Sequence, residues 1–215
     1  GINIELGSLG EVGDINLGNL RTTGEVLVDA NGGNIVRVSE NSLINAGSVL
    51  FRTSGNGSIG FVGEPLRLDV ENLEAVSGSG GVFFDVGNVN IGGVSEDVVG
   101  IATFGGDVDI KSAGNVTLNE TISTNEQGSG GAINLDADND ITITDSSVEL
   151  KAGQSININA DIDTDGRDIK LNAGSNITTQ QLNSSSDEGN GGAIDLDAGG
   201  DITTQYLNSR SYSSS

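Results

Sequence analysis

The 215-residue chain contains no cysteine, no histidine, no methionine and no tryptophan. Without cysteine it can form no disulfide and no thiolate metal site. Without histidine it has no Ser-His or Cys-His nucleophile pair and no imidazole ligand. There is one proline, Pro65, and the aromatic residues are five Phe and two Tyr. A globular core of this length ordinarily uses more bulky aromatic side chains, whereas stacked layers of similar shape can be filled by branched aliphatic residues. Basic residues are scarce, nine against 31 acidic ones, giving a net charge of −22. No basic patch can neutralise phosphates, so the composition argues against nucleic acid as a partner and against anionic lipid surfaces. No apolar run approaches the ~18 residues that cross a bilayer, so no membrane insertion is expected. What the charge suits is a soluble, self-repelling surface.

What the chain has is glycine, 34 residues of it, set among Ile, Val, Leu and Ala in a recurring unit. Successive copies read GGDVDIKSAGNVTL from Gly105, GGAINLDADNDITI from Gly130, SVELKAGQSINI from Ser147, GRDIKLNAGSNITT from Gly166 and GGAIDLDAGGDITT from Gly191. Repetition at this period is the signature of a solenoid. Within each copy apolar and polar residues alternate, the pattern of a half-buried strand. A first strand opens at Val108, Ile133, Val148, Ile169 and Ile194. Two residues on come Ile110, Leu135, Leu150, Leu171 and Leu196, and two further Ser112, Ala137, Ala152, Ala173 and Ala198. Strand side chains alternate, so all three positions face one side.

Turn formers follow, such as Asp138-Asn139-Asp140 and Gly199-Gly200-Asp201, which tolerate left-handed backbone and bond their own main chain. A second strand then starts at Val116, Ile141, Ile156, Ile177 and Ile202, eight residues after the first in every copy. A third apolar point stands at Ile122, Ile162, Leu182 and Leu207. Three short strands per turn predict an all-β fold, a β-solenoid of about nine or ten coils stacked at ~4.8 Å. The copies are unevenly spaced, the step from Ile133 to Val148 being much the shortest. That variation predicts loops leaving the rod at Asn125 to Gly131 and Ser184 to Gly192. The short step fits this register only as a tight corner at Asp145-Ser146-Ser147.

Residues 1–104 read as a divergent version of the same fold. GEVLVDANGGNIVRV from Gly24 keeps the order strand, turn, strand, and further strands are expected at Ile15 to Leu17, Val49 to Phe51, Leu66 to Val70, Val82 to Val86 and Val89 to Ile91. No break in composition separates residues 1–104 from the regular repeats of 105–215, so one continuous domain is expected. Gly1 is not an initiator Met, and neither end shows a polar cap over its strand edge. The sequence is therefore expected to be a piece of a longer protein.

Carboxylates are the remaining candidates for chemistry. Asp136, Asp138, Asp140, Asp195, Asp197 and Asp201 would share one face in this register, and paired carboxylates can hydrolyse glycosides when a groove holds the sugar. Asp161-Ile162-Asp163-Thr164-Asp165-Gly166 matches the opening of a DxDxDG calcium loop, in which oxygens at alternate positions converge on one ion. This makes Asp161, Asp163 and Asp165 the candidate calcium ligands. The twelfth position, where a bidentate Glu belongs, is Asn172, and Ile162 is needed for the core, so the aspartates fit a solvated outer face better than a calcium loop. Thr142, Thr144, Thr178, Thr179, Thr203 and Thr204 form a candidate threonine column, or simply reflect the β-propensity of threonine.

GGAINLDADNDITI and GGAIDLDAGGDITTQYLNSRSYSSS resemble the repeats of filamentous-haemagglutinin-type exoproteins, large bacterial surface proteins exported by two-partner secretion. The stretch SGNGSIGFVGEPLRLDVENLEAVSGSGGVFF, from Ser54 to Phe84, is similar to their inter-repeat segments. The resemblance spans roughly Ser54 to Ser215. It implies a right-handed parallel β-helix, an extracellular or cell-surface location and adhesive or scaffolding duty. The implied partners are a host or neighbouring-cell surface, glycan or protein, and an outer-membrane transporter during export. The Asn-Pro-type motifs of the family's secretion domain are absent, so the resemblance implies a distal section of the stalk and not the export signal; the leading expectation is a non-enzymatic segment of a surface adhesin. The alternatives are a carbohydrate-active β-helix enzyme and a calcium-stabilised structural solenoid.

Overall fold

The computed structural model describes residues 1–5, 13–124 and 130–211. It is all-β: among the described residues there are 23 strands, joined in one sheet, and no helix. The pairings between strands are parallel, and the sheet coils on itself for about eight turns. This is a β-solenoid, as the alternation predicts, with a turn or two fewer than the repeat spacing suggests.

The interior is built from columns of side chains, one from each coil. One column runs Ile15, Ile35, Ile59, Val82, Val108, Ile133, Ile156, Ile177 and Ile202. Every member is β-branched, the shape that packs best on a pleated surface. A second column runs Ile4, Val28, Phe51, Ala75, Ile101, Ile122, Leu150, Leu171 and Leu196. Ala75 leaves room between Phe51 and Ile101, and the Phe51 ring stacks on Phe84 across the interior, centroids 5.8 Å apart. Fully burying one such aliphatic or aromatic side chain contributes about 1.5–3 kcal/mol, so each coil is held mainly by the coils on either side.

The corners move along the rod. In the coils of residues 44–77 the strand Ile44–Arg52 runs uninterrupted past two strands of the coil before it, and Leu66–Ser77 past three strands of the coil after it. One turn on, Leu73 pairs with Ile91 and Ala75 with Ile101, so the straight face over Glu74 becomes two faces with residues 92–100 between them. In the same coil Gly81–Val86 joins two faces that were separate before: Val82 continues from Ile59, and Phe84 from Leu66. The sheet crosses from residues 1–104 into 105–215 without a break, since Val82 pairs with Val108 and Phe84 with Ile110.

The register differs from the sequence reading at one place. Ile133 pairs with Ile156 and not with Val148, and Ile122 pairs with Leu150. Val148 is buried but lies outside the strands. The segment from Ile133 to Val148 is therefore a path between two faces of one coil. The column from Ile15 to Ile202 lies on the first face, Val89, Val116, Ile141 and Ile162 on the second, and the column from Ile4 to Leu196 on the third. The eight-residue spacing joins the first and second faces at Val108/Val116 and Ile133/Ile141, but the third and first at Ile169/Ile177 and Ile194/Ile202. Likewise Ile122 belongs to a different column from Ile162, Leu182 and Leu207. True coils advance from Val108 to Ile133, Ile156, Ile177 and Ile202, a far more even step than that between the sequence copies.

Candidate functional site

The corner between the first and second faces tightens toward the C-terminal coils. Eight residues separate Ile133 from Ile141, six separate Ile156 from Ile162, and five separate Ile177 from Leu182. Two hollows lie on this flank, one over the second face and one at the corner itself. Asp140, Thr142, Asp163, Asp165, Asn183, Ser185 and Asp187 line one. Asn115, Asp138, Asn139, Asp140, Asn159, Asp161 and Gln180 border the other. Neither is lined by a basic side chain, so this flank is strongly negative.

The three candidate calcium ligands divide between the hollows, Asp161 on one side and Asp163 and Asp165 on the other. Ile162 between them is fully buried, as its core role requires. The oxygens are engaged locally: Asp161 Oδ1 accepts the Gln181 N–H at 3.2 Å, and Asp163 Oδ1 accepts the Asp165 N–H at 3.2 Å. Asp163 Oδ2 accepts from Asn183 Nδ2 at 3.1 Å. Asp165 and Gly166 have φ of 48° and 83°, so the DTDG segment is a tight left-handed turn closed by the Asp163 carboxylate. Among the described residues no group of three acidic side chains is placed to hold one metal ion.

The six grouped aspartates do not come together. Asp136 pairs with Asn159 on the first face, while Asp195 and Asp197 lie on the third face beside Lys170 and Asn172. The cause is the register: the Gly130 and Gly191 copies occupy different faces. The threonines separate for the same reason. Thr142 follows Thr117 and precedes Asp163, whereas Thr178 and Thr203 continue the column of Asn134 and Asn157.

Of the two expected loops, Ser184 to Gly192 stands out from the rod. Its base is pinched shut: the Gly192 N–H donates to the Ser184 carbonyl at 2.7 Å, and Ser184 Oγ donates to the Gly192 carbonyl at 2.7 Å. Its tip, Asp187 to Asn190, is exposed. Residues 125–129 of the other loop lie outside the described residues, as do Tyr212 and the three serines after it.

Two features escaped the sequence reading. Asparagines at the corners link one coil to the next: Asn88 Oδ1 accepts the Asn115 N–H at 2.8 Å, Asn115 Oδ1 the Asp140 N–H at 3.3 Å and Asn176 Oδ1 the Asp201 N–H at 2.8 Å. On the first face Asn157 donates to Asn134 at 2.8 Å, Asn159 to Asp136 at 2.9 Å and Gln180 to Asn159 at 2.7 Å. The second feature is Glu74, a fully buried carboxylate. Its signal was available, a lone acid inside the apolar run Leu73-Glu74-Ala75-Val76.

Comparison with known proteins returns no match, neither to a protein-family model nor to a curated protein nor to a solved structure.

Proposed function

We propose that this chain is a non-enzymatic stalk segment of a secreted bacterial surface adhesin of the filamentous-haemagglutinin type. The observation that carries the reading is the division of labour between interior and corners. The columns stack, and chain length varies only between strands, at the corners and in excursions such as 92–100 and 184–192. A rod of this kind spaces its loops at fixed heights and presents them outward. The acidic flank disfavours anionic surfaces and nucleic acid, which leaves neutral or basic groups of a host or neighbouring cell, glycan or protein, as the surface met. Export through an outer-membrane transporter belongs to the same reading, and so does an extracellular location.

The test is binding of the whole chain to host cells and to immobilised neutral glycans, with and without residues 185–191 replaced by a short Gly-Ser link. Binding that is lost with the loop supports the proposal. Turnover of an acidic polysaccharide would replace it with the enzymatic alternative. The second reading, a solenoid stabilised by calcium, rests on the negative charge of the hollow lined by Asp140, Asp163, Asp165 and Asp187, whose side chains are not gathered around one ion position. Calcium bound there would raise the melting temperature with concentration, and an identical melt in calcium and in chelator eliminates it.

A further inference from the structure

Glu74 occupies the place where one face of the rod becomes two. It is the single residue between Leu73 and Ala75, and in the next coil residues 92–100 fill the same place between Ile91 and Ile101. One coil further, residues 119–121 fill it between Leu118 and Ile122. The excursion 92–100 thus leaves the rod between Glu74 on one side and Glu120 on the other, and both carboxylates turn onto its main chain. Glu74 Oε1 accepts the Val94 N–H at 2.7 Å and the Ser95 N–H at 3.2 Å, and its Oε2 accepts the Ser95 N–H at 3.0 Å. Glu120 Oε1 accepts the Gly93 N–H at 3.2 Å, and its Oε2 accepts the Gly100 N–H at 2.5 Å. Charge-assisted bonds of this kind are the stronger class.

The excursion begins and ends on glycines in the left-handed region, Gly92, Gly93 and Gly100, with φ of 110°, 76° and 63°. Glu74 itself is a cost. Its neighbours Leu73 and Ala75 point into the interior, so its side chain points outward, yet it is 0% exposed. Leu50, its partner in the preceding coil, also points outward and is only 3% exposed, and Val98 within the excursion is 6% exposed. None of Leu50, Val98 and Glu74 belongs to the interior core. The charged groups that act on Glu74 are Glu120, two coils on, and Arg52 of the preceding coil, while Glu96 and Asp97 of the excursion are exposed.

We propose that residues 92–100 form a hinged flap held on the rod by Glu74 and Glu120, and that the flap closes more tightly as the pH falls. Closure removes a carboxylate from water, which favours its neutral form. Burial is the largest influence on Glu74 and pushes its pKa up from the ordinary 4.5; the bonds from Val94 and Ser95 oppose the rise, Glu120 adds to it and Arg52 opposes it. With the flap open, Glu74 meets solvent and returns toward its ordinary value. The closed form therefore binds the proton more tightly. Its extra stability is complete below the ordinary value and is lost as the pH rises through the raised one.

Hydrogen exchange on the whole chain tests this. Protection factors, which divide out the intrinsic pH dependence of exchange, are compared at pH 4.5, the ordinary value for Glu74, and at pH 8.0 for Val94, Ser95 and Gly100, with the amide of the buried Val28 as internal reference. The expected result is greater protection of the flap amides at pH 4.5, relative to Val28. In Glu74→Gln the difference between the two pH values disappears. Equal relative protection in the unmodified chain overturns the proposal even if the variant does not fold, and so does a pH difference that survives in a folded Glu74→Gln.

Discussion

The coils on either side of residue 104 share their columns but solve the outer surface differently. In the N-terminal coils long strands run through two faces, and outward positions are covered: Leu50, Glu74 and Phe83 are all buried there without belonging to the interior. In the C-terminal coils the strands are mostly shorter and the outward positions are Asn, Asp, Thr and Lys, bonded from coil to coil by carboxamides. The interior edge differs too. Thr53 and Thr103 send hydroxyls to corner glycine carbonyls at 2.5 Å each, Thr124 keeps the bond at 2.6 Å in the first C-terminal coil, and in the coils after it Ala152, Ala173 and Ala198 take that column. A solenoid can thus change its outer surface and its corners while its apolar columns continue, because each coil need only match its neighbours.

The largest expected effect comes from Ile141→Asp, which puts a carboxylate into a fully buried column. The cost is at least ~4 kcal/mol. Because each coil leans on the next, several C-terminal coils should lose their cooperative melt in calorimetry, and an unchanged melt would count against the register. Phe51→Ala tests the N-terminal half. It removes a fully buried ring and its stack on Phe84, so a loss of about 3–5 kcal/mol is expected in denaturant titration. Equal sensitivity to Ile122→Ala, in the same column, would mean that the aromatic pair adds nothing to the divergent half.

A smaller change sharpens the corners. A Cβ on Gly174 would meet the Gly153 carbonyl oxygen of the previous coil at 2.2 Å, and one on Gly199 would meet the Gly174 oxygen at 2.3 Å. Gly174→Ala should therefore cost roughly 1–3 kcal/mol, the scale of overpacking. Thr179→Val should act in the opposite direction. The Thr179 hydroxyl is buried without a hydrogen-bond partner, and its removal should stabilise the chain by about 1 kcal/mol.

The smallest effect concerns Asp109. Burial, then the charges of Asp107 and Asp136, pushes its carboxyl above the ordinary 3.8. Its folded state gains from protonation, and that gain is lost as the pH rises through the raised value. Asp109→Asn should therefore raise the melting temperature at pH 7 relative to the parent, and the difference should shrink toward pH 4. A shift independent of pH would assign the effect to packing.

Strands and inward faces were legible in the sequence because they depend on alternation alone. Val108, Ile110, Ser112, Ile133 and Leu135 all point inward as expected. Which strand lies on which was not legible, because the chain repeats itself within a coil as well as between coils. The motif strand, small residue, Gly/Asn turn, strand serves two different corners, and the eight-residue spacing is common to both. Chain length around the coil would have exposed the error: the short stretch from Ile133 to Val148 cannot supply three strands and three corners. The same slip carried Asp136 and Asp195 onto one face, although pairing separates them. The acidic hollows were out of reach because they come from the tightening of a corner across successive coils. Glu74 depends on an insertion one turn away from it.

The parallel columns also set how the molecule answers to force. Interstrand hydrogen bonds in a coil of this kind point along the rod. Tension applied evenly to the two end coils would load all the ladders of a junction at once, so the whole junction must yield together. Tension on a chain end in the plane of its coil would peel the bonds one after another. A rod anchored by a terminal coil broadly joined to a neighbour is then far harder to part than one held by a single strand.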